Sequence, residues 1–219
     1  MSNIVFAFTL STLAGLSTLL GFLPLLFNLK NESSIILKSL AFASGVMLTV
    51  SVIDLIPESY NLLASIFKGF PALLLLLIFL VIGIIFSILI DKFLPSNNNK
   101  LFHLGIVSML AIILHNIPEG ISIAIPIYFS TKNKKKAFLY TFISGFSEPV
   151  GSLIAYLFLA KYMNDFLMSI LLSFIAGLMI HIALFELLKE SITYQNKKMT
   201  KLFLFIGIIF MLVSIILTR

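Results

Sequence analysis

The chain has 219 residues, of which 60% are hydrophobic and only 11% charged, and its mean hydropathy is +1.13; soluble domains carry far more polar surface, so this composition excludes one and defines an integral membrane protein. The net charge of +6 does not argue for a nucleic-acid partner, because the lysines lie in short loops between apolar runs, where the positive-inside bias places them. With no cysteine, disulfides and thiolate ligands are excluded, and any metal site must use oxygen and imidazole nitrogen.

Seven apolar runs, at about 4–27, 37–57, 70–90, 101–129, 137–160, 164–188 and 201–217, predict an all-α, polytopic transmembrane bundle forming one domain over 1–219. The first run lacks the basic flank of a signal peptide and is expected to be a retained helix. NLKNESS, FLPSNNNK, STKNKKK and KESITYQNKKMTK are the polar linkers. None is long enough for a soluble catalytic or regulatory domain.

Charge tests the topology. Lys30 and Lys38 in the first linker, with Lys92 and Lys100 in the third, put that side in the cytoplasm. A single helix between Lys100 and Lys132 would push the densest basic cluster, at 132–136, outside. Two crossings would restore agreement, yet only 31 residues separate those lysines, short of the roughly 40 that two spans need. The expectation is a missing span, or a broken hairpin kinked at Pro118 and Pro126. Both basic C-terminal linkers are expected on the cytoplasmic face.

Asp54, Glu58, His115, Asn116, Glu119, Glu148, His181 and Glu186 interrupt the apolar runs. A charge at a helix centre costs about 3 kcal/mol on insertion scales, so such residues face the interior and mark ion paths. In HNIPEG, His115, Asn116 and Glu119 share one helical face. Pro118 crowds the carbonyl of Leu114, and Gly120 lets another helix approach. Glu148 has the same surroundings, with Pro149 after it and Gly145 and Gly151 on either side. Imidazole, amide oxygen and carboxylates can hold zinc, manganese, iron(II) or cobalt. A polar helix–helix contact is the plainer reading, and His181 is assigned to it. Asp54, Glu58 and Glu186, nearer helix ends, fit interfacial acids as well as ligands, and with His181 form the secondary metal candidates.

LHNIPEG, AIPIYFSTKNKKKAFLYTFISGFSEPVGSLIAYL, FASGVMLTVSVIDLIPES and AGLMIHIALFELLKES resemble the ZIP (Zrt-, Irt-like) divalent metal transporters, in particular their bacterial zinc-uptake branch. The resemblance implies His115, Asn116, Glu119 and Glu148 as metal ligands. It implies import of zinc, with iron, manganese, cobalt or cadmium as other cargo, across the cell (cytoplasmic) membrane, with no organic cofactor and no enzymatic activity. Members of that branch have eight helices and two HNxPEG-like motifs, whereas this chain has one. Its flanks resemble the approach to the first motif and the exit from the second. One strong metal position is therefore expected instead of a pair. The alternatives are a non-transporting relic, a half-site completed by homodimerisation, or an intramembrane metal-dependent hydrolase. The last is disfavoured by the absence of HExxH and by only three histidines.

Overall fold

The computed structural model describes residues 3–26, 32–93, 116–159 and 161–218, and they contain no strand. α1 (Asn3–Thr18) tightens into a 3-10 helix over Leu19–Leu26. It is followed by α2 (Glu32–Ile66), α3 (Phe70–Phe93), α4 (Asn116–Thr131) and α5 (Lys134–Ile154). α6 (Asp165–Thr193) and α7 (Lys197–Thr218) complete an all-α, polytopic architecture.

Two helices outrun their apolar runs. α2 was expected to stop at 57 but passes Pro57 to Ile66, because the π turn Val50–Leu55 just before the proline widens the helix and absorbs the ring. α6 likewise carries a π turn, Ile182–Leu188, and continues to Thr193 with Glu190 and Ser191 buried. A second correction concerns Pro126. α4 runs through it unbroken, since its neighbours Ile123, Ala124, Ile125 and Ile127 are at most 1% exposed and packing holds the turn that the proline weakens. Residues 101–115 of the predicted hairpin lie outside the described residues.

α2 is the centre of the bundle: 67% of its most apolar window is buried, against 17% for α3 and for α7, whose outer faces of Leu, Ile and Phe meet lipid. Three linkers meet at one end. Lys132 donates to Glu32 at the start of α2, and Ser191 donates to the carbonyl of Leu37 at 3.0 Å. Tyr194, just past α6, has its phenol pushed up to about 12 by burial and by nearby Glu190 and Glu32. Both basic C-terminal linkers therefore lie at the end where α2 starts.

The bundle is an inverted repeat. FASGVMLTVSVIDLIPES in α2 matches FIAGLMIHIALFELLKES in α6, and IGIIF occurs in both α3 and α7. The contacts repeat as well. Ser59 donates to the carbonyl of Ser169 at 2.8 Å as Ser191 does to that of Leu37. Phe174 packs on Phe86 at 5.3 Å, and Phe42 on Phe210 at 5.5 Å. A side chain on Gly177 or Gly45 would strike the carbonyl of Leu80 or Leu204 on the partner helix; on Gly83 or Gly207 it would strike that of Phe174 or Phe42. α2 and α6 run antiparallel, so one half is turned over relative to the other, as in many transporters.

Cysteines introduced at Asn133 and Asn196 should label from the same side of the membrane and one at Gly69 from the opposite side. With the basic end inside, an impermeant maleimide should spare the first two in intact cells. Because small residues set helix approach in lipid, Gly83→Ala and Gly177→Ala should each cost about 1–3 kcal/mol. A thermal unfolding scan in detergent should show a fall in midpoint for both.

Candidate metal site

NIPEG lies at the start of the described part of α4. Asn116 and Glu119 are three apart and share a face; their side chains, and His115 altogether, lie outside the described residues. The backbone nevertheless fixes where this turn sits. A Cβ on Gly120 would collide with the carbonyl oxygen of Thr18, and one on Gly21 with the backbone of Gly120 and Ile121. The turn that bears Glu119 is thus pressed onto the end of α1.

α5 reaches the same place from the other direction. Gly15 and Gly145 face each other so closely that a side chain on either would strike the other's carbonyl oxygen. The position of a Cβ on Gly145 lies 3.2 Å from Cβ of Thr18, and that of one on Gly15 lies 3.2 Å from Cδ of Pro149. Glu148, half-buried, is three residues beyond Gly145 and directly precedes the buried Pro149. α1, α4 and α5 therefore share one glycine-lined crossing, and Glu119 and Glu148 both stand within a turn of it. The helix end that Gly120 admits is that of α1.

The secondary candidates lie elsewhere. Asp54 is half-buried in the π turn of α2, with Glu58 exposed one turn on. Glu186 is half-buried in the π turn of α6. Because Leu37 neighbours Ser191 while Ser59 neighbours Ser169 and Ser173, Asp54 and Glu186 sit toward opposite ends of the bundle. His181 is buried, its Nδ1 3.0 Å from Oγ of Ser87 and its ring stacked on Phe185. Among the described residues no three of His, Asp and Glu converge as a metal-holding group. Sequence reasoning overlooked Gly15, Thr18 and Gly21 of α1. The signal was present in LAGLST of α1, which parallels ISGFSE of α5.

An inverted-repeat helical bundle with acids at a close crossing defines a class, the multi-pass membrane transporters. A family model described as ZIP Zinc transporter matches residues 99–215. The chain is 32% identical over 277 residues to "Zinc transporter ZupT" of Clostridium perfringens (strain 13 / Type A), covering 99% of this chain and 97% of that protein. It is 31% identical over 255 residues to "Zinc transporter ZupT" of Streptococcus mutans serotype c (strain ATCC 700610 / UA159), covering 96% and 97%. The chain belongs to the ZIP family. Both alignments are longer than its 219 residues, so these relatives carry residues with no counterpart here.

If the crossing seats the α4 turn, Gly120→Val should displace it from Thr18. Zinc titration of the purified variant is expected to show affinity at least roughly tenfold weaker, about 1.4 kcal/mol, in a fold still helical by circular dichroism.

Proposed function

We propose that this chain is a membrane permease for divalent transition-metal ions, zinc first, with His115, Asn116 and Glu119 of the α4 motif and Glu148 of α5 as ligands to the ion in transit. The observation that carries the reading is the shared crossing: in a chain of this family, the turn of Glu119 and the turn of Glu148 both abut α1 at Gly15, Thr18 and Gly21. Four ligands of nitrogen and oxygen suffice for tetrahedral zinc, and the same set accepts iron(II), manganese, cobalt or cadmium as cargo. The carboxylates that bind the ion must be deprotonated, so protons leave as metal arrives and return as it departs. No ATP-binding motif is present in the sequence, and movement is downhill or proton-coupled. The lysine-rich end is the cytoplasmic one, which makes transport toward it import. Proteins of the two relatives' name are zinc transporters by that name, which supports zinc as the cargo.

One feature favours a second reading. A single HNxPEG motif, in a chain shorter than its alignments to relatives, supports a half-site that a second copy completes. Crosslinking through a cysteine at position 115 separates the two readings, since a self-sufficient protomer gives no symmetric product.

Purified protein should bind close to one tight zinc per chain. Glu119→Ala should abolish that binding and Glu148→Ala weaken it. In proteoliposomes, radiozinc flux in the wild type should exceed that of the Glu119→Ala, Glu148→Ala double variant by at least roughly tenfold, about 1.4 kcal/mol in the barrier. Equal fluxes, or two tight equivalents per chain, would count against this ligand set.

A further inference from the structure

Thr18 is 1% exposed, and its Oγ1 has no hydrogen-bond partner among the described residues. That is anomalous in this protein. Thr12, Thr49, Thr131 and Thr141 each return their hydroxyl to the carbonyl four residues back, at 2.7–2.8 Å, the usual refuge of a helical threonine. A buried hydroxyl left unpaired destabilises the state that contains it, whereas a valine of the same shape would not. The neighbours of Thr18 suggest its use. Its carbonyl abuts Gly120, next to Glu119, and its Cβ faces Gly145, three residues before Glu148.

The repeat adds a second, independent pointer. Aligning LAGLST of α1 with ISGFSE of α5 sets Gly15 on Gly145, Ser17 on Ser147 and Thr18 on Glu148. The two glycines face each other across the crossing. Thr18 is therefore the counterpart, in the inverted half, of the acid assigned as a ligand. Since α1 and α5 are antiparallel, Thr18 lies beyond the Gly15–Gly145 contact on the side toward the basic end, and Glu148 on the side away from it.

We propose that Thr18 is a positioning residue for the ion: its hydroxyl holds a water of the divalent cation's hydration shell at the level of Glu119, on the basic-end side of Glu148. This rests on the transport reading above. It goes beyond the ligand set by giving α1 a polar contact with the cargo, made when the site is filled. A hydroxyl suits that task because it can both donate and accept without adding charge to a low-dielectric site.

The test uses full-length Thr18→Val and Thr18→Ser in zinc-uptake proteoliposomes, beside the wild type and the Glu119→Ala, Glu148→Ala double variant. Val is expected to raise KM for zinc about tenfold while leaving Vmax near that of the wild type and the unfolding midpoint at or above it, and Ser to restore KM. Wild-type KM in the Val variant, impairment of Ser equal to that of Val, or a lowered midpoint in Val with KM unchanged would each overturn the assignment while leaving the transport reading intact. Absence of wild-type flux above the double variant would instead overturn the transport reading, and this assignment with it.

Discussion

Close helix contact without side chains is the constraint on which the rest of this structure depends. In hydrocarbon, apolar side chains gain nothing by leaving lipid for one another, so helices associate where backbones can approach and dispersion contacts multiply. Here Gly45, Gly207, Gly83 and Gly177 join α2 to α7 and α3 to α6, and Gly15, Gly21, Gly120 and Gly145 join α1 to α4 and α5. Between crossings, buried hydroxyls of Ser44, Ser59 and Ser191 bond to the backbone of distant helices. The turns that bear Glu119 and Glu148 are positioned by these contacts, because a turn fixed at Gly120 or Gly145 fixes the backbone beside it.

The inverted repeat bears on where the candidate site lies. α2, α3, α6 and α7 form a frame in which each glycine contact has a twin, and the frame is apolar at its crossings. α1 and α5 are the remaining pair, and at their crossing the symmetry fails in chemistry: threonine stands where its counterpart is glutamate. Among the described residues α4 has no partner in the repeat, and it seats its NIPEG turn against that same unequal pair. Among the described residues, the break in chemical symmetry thus coincides with the helix that the repeat does not duplicate.

Much of this was legible in the residues alone. The apolar runs located the helices, because no other backbone arrangement satisfies its own polar groups in lipid, and the cost of buried acids singled out Glu119 and Glu148. Charge parity exposed the short interval before α4. The helix ends were less legible: Pro57 and Pro126 signal breaks locally, and only a π turn in one case and the buried stretch 122–127 in the other overrule them. The contribution of α1 was hidden for a different reason. Gly, Ser and Thr in an apolar run carry no charge to flag them, so Thr18 becomes visible only when α1 is laid on α5, a comparison between segments that no single window makes.

The hydrogen bonds of the frame also bear on how the chain is made. Ser59 finds Ser169 and Ser173 at sequence separations of 110 and 114, and Ser44 finds Ala183 at a separation of 139. At roughly 5–20 residues per second of synthesis, α2 waits on the order of 5–30 s before α6 emerges from the ribosome. During that interval the hydroxyls of Ser44 and Ser59 lack their eventual partners. Insertion of the first half is therefore provisional. The early helices must be held near the site of translation, or tolerated as a loosely packed set, until the second half arrives inverted and locks them.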